Sequence, residues 1–412
     1  MSEPNLTALS VARAAVVRAR RCDTSATRAL VMLLTIVFGA FPFAARSREV
    51  AVIRLDGTRI ATSQIDATVI RSMQEARIPG TGIAIFNDGA IVYSKTYGER
   101  DRAAHKPLTP DSVMTAASLT KPAFTVTVLQ LVEQGVLDLD RPVFEYLPKP
   151  LPKYALYRDL APDRRFEQIT LRMLLSHTSG LPNWRRFTDD HQLRIYFPPG
   201  SRFAYSGEGI ALAQMVVETV AGKSVDELMR ERIFQPLGMT RTSMVWEPRF
   251  EGDYANAYDE EGKSLGPQRR RRGDAAGSMQ TTLHDYARFV KAIMGGELLH
   301  DKSTAEMFSP QIRIMSAYEF PTLAAETTTA NDSIHLSYGL GWGLYWTAYG
   351  EAFFKEGHDE GWRHYVVCFS QPKTGILIMT NSSNGEDVYG SLLEVLIRDT
   401  YTPYEWEGFK RP

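Results

Sequence analysis

The sequence predicts an α/β fold with an added α part: an antiparallel sheet built from both termini, flanked by helices, with an inserted mainly helical domain. Three observations carry this. Residues 81–86 (TGIAIF) and 90–96 (AIVYSKT) are short β-type runs joined by Asn87-Asp88-Gly89, the chemistry of a tight hairpin. A second pair, 364–370 (HYVVCFS) and 374–380 (TGILIMT), is split by a Pro-Lys turn near the other end. Between the two pairs, apolar residues recur at helical spacing.

Taken in order, the chain opens with Arg13, Arg18, Arg20, Arg21 and Arg28, followed by the uncharged run 30–44 (LVMLLTIVFGAFPFA). A basic region before an apolar stretch is the pattern of a secretory signal or membrane anchor, here residues 1–46. The run is short of the ~20 residues of a full span. Cleavage at Ala44 or Ala45 places Pro42 or Phe43 where a small residue belongs, so cleavage and anchoring both stay open. The arginine excess predicts export of the chain beyond residue 46, to the periplasmic or extracellular face. The sheet part is expected over about 48–117 and 295–412, and the helical part over about 118–294. Helices are expected at 119–134, ending at Gly135, at 209–221, ending at Gly222, and at 225–234 and 282–294. Segments 147–153 and 261–274 read as loops.

Composition narrows the function. The 412 residues are 44% hydrophobic and 23% charged, which excludes disordered, collagenous and coiled-coil classes. Lys plus Arg is 47 against 48 for Asp plus Glu, a net charge of −1, so no global field exists to hold a polyanion and nucleic acid is not an expected partner. A mean hydropathy of −0.23 excludes a polytopic membrane protein. Two cysteines, Cys22 and Cys368, cannot build a disulfide framework.

The sharpest chemical feature is Ser118-Leu119-Thr120-Lys121 at the start of the first long helix. Positions i and i+3 share a helix face, so the Lys121 amine can reach the Ser118 hydroxyl. A serine is a weak nucleophile until a base takes its proton, and a desolvated lysine can be that base. The helix N-terminus adds N–H groups where negative charge develops. By itself Ser-x-x-Lys is common and usually marks a helix cap with a solvated lysine. Its company raises it: 174–181 (LLSHTSGL), 203–210 (FAYSGEGI), 275–279 (AAGSM) and 357–362 (GHDEGW) succeed it in order.

In this order and spacing, residues 62–400 resemble the serine β-lactamase and penicillin-binding-protein superfamily, and within it the branch of class C β-lactamases, D-alanyl-D-alanine carboxypeptidases and esterases. The resemblance implies Ser118 as the acylated nucleophile and Lys121 as its activating partner. It implies Tyr205 as a proton shuttle to the leaving group, and His358 as the head of the third motif, where a lysine or histidine borders the cleft. Two departures stand out. The family's Tyr-x-Asn is Tyr205-Ser206-Gly207 here, without the amide that holds a β-lactam or peptide carbonyl, and Glu360 fills the place of a motif glycine, with Gly361-Trp362 after it. Both tilt the expectation away from an efficient β-lactamase. The expected activity is serine hydrolysis of a small ester or amide, including D-amino-acid or peptidoglycan-derived compounds, without metal or organic cofactor. The alternatives are a D-alanyl-D-alanine carboxypeptidase or weak β-lactamase, and a membrane-anchored, non-catalytic binder of cell-wall ligands.

Competing patterns are weaker. Gly262-Lys263-Ser264-Leu265-Gly266 fits a nucleophile elbow only if a strand precedes it and a helix comes after. His358, Asp359, Glu360 and His364 lack the one-face geometry of a metal site. His177 reads as structural, and the run Arg269 to Arg272 as a solvated loop that could at most guide an anion. Of the aromatic residues crowding the C-terminal third, Trp342 and Trp362, with Gly361, are the candidates for lining an acyl pocket.

Overall fold

A computed structural model describes residues 51–411. The N-terminal arginines, the apolar run and Cys22 lie outside the described residues, among which no helix is long and apolar enough to cross a membrane.

The centre is a nine-stranded antiparallel sheet. Its strand order is Ile312–Arg313, Ser337–Tyr338, Gly343–Thr347, Gly350–Asp359, Trp362–Phe369, Thr374–Thr380, Gly80–Asn87, Ala90–Asp101 and Lys106–Pro107. Both expected hairpins form. Asp88 and Gly89 take φ of 50° and 71°, the left-handed pair that lets a two-residue turn match the strand twist. The two ends of the chain meet where Gly80–Asn87 pairs with Thr374–Thr380.

Each sheet face carries its own core because successive strand residues point to opposite sides. One face (Ala84, Phe86, Phe353, Val366, Leu377) packs on the helices Thr120–Glu133, Gly207–Ala221 and Leu283–Gly295. The other (Ile83, Ile85, Phe354, Tyr365, Ile378) packs on Thr62–Glu75 and the C-terminal turns. Thr120–Glu133 buries residues on every side, as a helix enclosed by protein must.

Helix boundaries are set by their caps. Gly207–Ala221 begins two residues before the expected start because the Ser206 hydroxyl accepts from the Gly209 N–H at 2.8 Å, and it ends at the left-handed Gly222. The expected helix 225–234 is α-helical only to Met229 and continues as a wider π turn over Arg230–Phe234. The expected loop 261–274 contains the strand Ser264–Gly266, paired with Ala257–Tyr258. No helix comes directly after that strand, so the Gly-x-Ser-x-Gly there is a small hairpin and not a nucleophile elbow.

Candidate active site

Ser118 sits in a single 3₁₀ turn, Ala117–Leu119, that leads into the buried Thr120–Glu133 helix. The residue before it, Ala117, has φ of 49°, a costly conformation for a residue with a side chain. Its surroundings impose it. The Thr120 hydroxyl donates to the Ala117 carbonyl at 2.6 Å and accepts from the Met279 N–H at 3.2 Å, and the Ala116 N–H donates to the Met279 carbonyl at 2.7 Å. One residue upstream of Ala116, the Thr115 carbonyl accepts from His364 Nε2 at 2.7 Å.

Lys121 is fully enclosed. Its Nζ lies 2.9 Å from Ser118 Oγ and donates to the Ala276 carbonyl at 2.6 Å. Burial first, and the nearby Lys355 ammonium second, bring its pKa down to about 7, so much of it is neutral at physiological pH. The 275–279 segment therefore contributes a carbonyl that holds the lysine in reach of the serine.

Tyr205 is brought to the same place. Its ring is reached by two side-chain nitrogens, Lys121 Nζ at 4.8 Å and Lys355 Nζ at 4.6 Å from the centroid. Burial, with the Glu356 carboxylate next, raises its hydroxyl pKa well above the ordinary value, and proximity of Ser118 partly opposes the rise. The hydroxyl makes no well-directed hydrogen bond to protein, a geometry that catalytic groups often keep until substrate arrives. His177 positions this segment. Its ring stacks 4.3 Å from Tyr205, its Nδ1 accepts from the Ser206 N–H at 3.1 Å, and its carbonyl accepts from the Ala204 N–H at 2.9 Å. Enclosure and the Lys121 charge hold its pKa well below the usual imidazole value, so it stays neutral.

The third expected element differs. His358 is not brought to the cluster; it is half-exposed, with its Nδ1 2.8 Å from a Glu386 carboxylate oxygen. Along Gly350–Asp359, the residues sharing Phe353's face, toward the nucleophile helix, are Lys355 and Gly357, and His358 has the opposite parity. Lys355, fully buried and paired with Glu356, is the cation that faces Tyr205. Gly357 lets the strand touch the Ser118 turn: a Cβ there meets the Ala116 carbonyl oxygen at 2.8 Å and Leu119 Cγ at 3.1 Å. Lys355-Glu356-Gly357 thus has the Lys-x-Gly spacing that was expected three residues later, at His358, and strand parity was the signal that could have found it. Behind it lie the buried carboxyls Glu319 and Glu407, whose pKa values are pushed well up by burial and then by neighbouring glutamates.

Trp342 and Trp362 have no exposed surface and pack in the core, Trp342 at 5.0 Å from the Phe353 ring. Gly361 occupies a turn at φ of 75°, with its N–H donating to the Ser383 hydroxyl at 3.0 Å. All three serve packing and the turn, and the two tryptophans offer no open wall. His358 and His364 do not converge: His364 spends one ring nitrogen on the Thr115 carbonyl and the other on the Thr380 N–H.

Comparison with known proteins bears on this constellation. The family described as Beta-lactamase matches residues 65–397. The chain belongs to the beta-lactamase family. Among curated members, Esterase EstB of Burkholderia gladioli is 31% identical over 227 residues, covering 49% of this chain and 56% of that protein. Lovastatin esterase of Penicillium rubens is 33% identical over 205 residues, covering 43% and 51%. The chain spans about half the length of the curated relatives it matches. The fold is shared with the octameric penicillin-binding protein homologue from Pyrococcus abyssi, at TM-score 0.67 and 22% identity over 84% of this chain and 80% of that one. In this beta-lactamase-family chain, Ser118, Lys121, Tyr205 and Lys355 are brought together from three separate stretches of sequence.

Proposed function

We propose that the protein is a serine hydrolase that cleaves small carboxylic esters through an acyl-enzyme. One observation carries the reading: a buried lysine with pKa near 7 held 2.9 Å from a serine hydroxyl at a helix start. Neutral Lys121 takes the proton as Ser118 Oγ attacks the ester carbonyl. The tetrahedral oxyanion receives the Ser118 N–H and a donor from the strand beside Gly357. As the C–O bond breaks, Tyr205 passes a proton to the leaving alkoxide and recovers it from protonated Lys121. Water then attacks the acyl-serine by the reverse relay and releases the carboxylic acid. Lys355 Nζ, 4.6 Å from the Tyr205 ring centroid, is placed to favour any phenolate character that forms.

The names of the two esterase relatives support the ester preference. The Lys-x-Gly strand and a penicillin-binding protein 4* of Bacillus subtilis, 27% identical over 189 residues, favour the second reading, a D-alanyl-D-alanine carboxypeptidase or weak β-lactamase. The basic-then-apolar N-terminus supports export, anchored or cleaved.

The test is hydrolysis of p-nitrophenyl acetate by the full chain beside its Ser118→Ala variant. Activity confined to the wild type is expected. Equal rates in both would overturn the hydrolase reading for esters.

A further inference from the structure

A groove of about 730 Å³ opens between the loop 330–334, the end of the Gly343–Thr347 strand and the turn 400–405. It lies far from the nucleophile. Thr347 pairs with Gly350 at this end of the sheet, whereas Gly357, which touches the Ser118 turn, is seven residues further along the same strand. At ~3.3 Å per residue that is roughly 20–25 Å. The groove is therefore a separate cavity, of a size that holds small ligands.

Its frame is braced. The Trp346 backbone N–H donates to the Ile334 carbonyl at 2.7 Å. The buried Asp399 carboxylate accepts from the Tyr401 N–H at 2.8 Å, the Thr402 N–H at 3.2 Å and the Thr402 hydroxyl at 2.6 Å, and the Asp399 carbonyl accepts from the Tyr404 hydroxyl at 3.1 Å. The turn is thus fixed by groups that have no hydrogen-bonding capacity left to offer. The lining side chains contrast with this. Trp346 is 39% exposed, and among the described residues its ring has no aromatic or cationic neighbour and its indole N–H no acceptor. The side chains of Asn331, Ser333, Thr400 and Glu394 likewise make no hydrogen bond or ion pair among the described residues. A rigid aromatic face with unspent polar groups around it costs little entropy to use in binding.

The chemistry of the lining selects among ligand classes. An anion finds no free cation, because the one cation among the lining residues, Arg411, is paired with Glu405 at 3.0 Å. An ammonium group suits Glu394 but only donates, which leaves the indole N–H and the Asn331 amide N–H groups without an acceptor. A wholly apolar ligand strips water from these polar groups and returns no hydrogen bond. A neutral sugar meets both halves of the lining: its C–H face lies on the indole, and its hydroxyls both give and take hydrogen bonds. We infer that this groove is a second binding site, for a neutral oligosaccharide, with Trp346 as the stacking platform and Asn331, Thr400 and Glu394 as its hydrogen-bonding partners. The inference concerns binding alone and stands apart from the chemistry proposed for Ser118.

The test is calorimetric titration of the full chain with tri-N-acetylchitotriose, cellotriose and maltotriose, and with choline as the ammonium probe. Saturable binding of at least one trisaccharide, with Kd of about 1 mM or tighter, is expected. Trp346→Ala should weaken it by about tenfold or more, and Glu394→Ala by about three- to tenfold. Ser118→Ala should bind the sugar as the wild type does, which places the binding outside the nucleophile site. No saturable binding of any of the three sugars overturns the inference. So does an affinity that Trp346→Ala leaves unchanged; should that variant not fold, an unchanged affinity in Glu394→Ala decides in the same way. Choline binding tighter than every trisaccharide also overturns it, since the groove would then be a site for cations.

Discussion

Two regions that meet at the Tyr205–Gly207 segment are built on opposite principles. The wall of Ser118, Lys121, Tyr205 and Lys355 is polar, mostly buried and cross-braced by hydrogen bonds from three separate chain segments. The side with Trp184 and Phe320 is aromatic and partly open, held by contacts of Trp184 with Gly207 and Arg186 and of Phe320 with Tyr205. Desolvation is what the first wall needs, because it lowers the Lys121 pKa and raises that of Tyr205. Mutations in one region should therefore leave signatures unlike those in the other.

The largest effect expected on the chemical wall is from Lys121→Met, which keeps the volume and removes the base. Ester kcat should fall by about 100- to 10,000-fold with little change in KM. A loss confined to KM would place Lys121 in binding and dissolve the distinction between the walls.

The bracing of that wall should show in acid. Burial depresses the folded-state pKa of His364 from 6.5 to about 4, so the neutral form is favoured in the fold. The unfolded chain takes up a proton first as pH falls. The contribution is fully present above the unfolded value and is lost through the window from 6.5 down to about 4, amounting to on the order of 3 kcal/mol. Urea unfolding of the wild type and His364→Asn across that window should show a steeper loss in the wild type; parallel curves would deny His364 this role.

Gly357→Ala comes next. A Cβ at 2.8 Å from the Ala116 carbonyl must push the strand off the nucleophile turn, costing about 1–3 kcal/mol of stability. Thermal denaturation checks it, and an unaltered melting temperature would mean the strand has slack there. The smallest effect is expected from replacing Arg269 to Arg272 by glutamine. Arg269 pairs with Glu251 and Arg270 with Asp359 at the surface, so kcat/KM for a neutral ester should change less than about twofold. A larger drop would bring this loop into substrate binding.

The chemical wall was largely legible in the sequence. Ser118 and Lys121 share a helix face by spacing alone, and both hairpins announced the sheet through their turns. What misled was register. Gly357-His358-Asp359-Glu360-Gly361-Trp362 is conspicuous, but alternation along the strand turns Lys355 and Gly357 to the nucleophile and His358 away, and a frame error of three residues reverses the face. Trp342 and Trp362 show a second limit, since an aromatic residue in the core and one on a cleft wall look alike in sequence. Trp184 shows a third: it packs against Gly207, a contact that no local pattern encodes.

The pH dependence of kcat/KM for p-nitrophenyl acetate from about pH 5 to 9 tests the central claim most directly. A base of pKa about 7 predicts activity that rises through neutrality, falling about tenfold per pH unit well below it. A Ser118-dependent rate that stays flat across that range would contradict the account, because Lys121 would then not be the group that gives up and regains the proton.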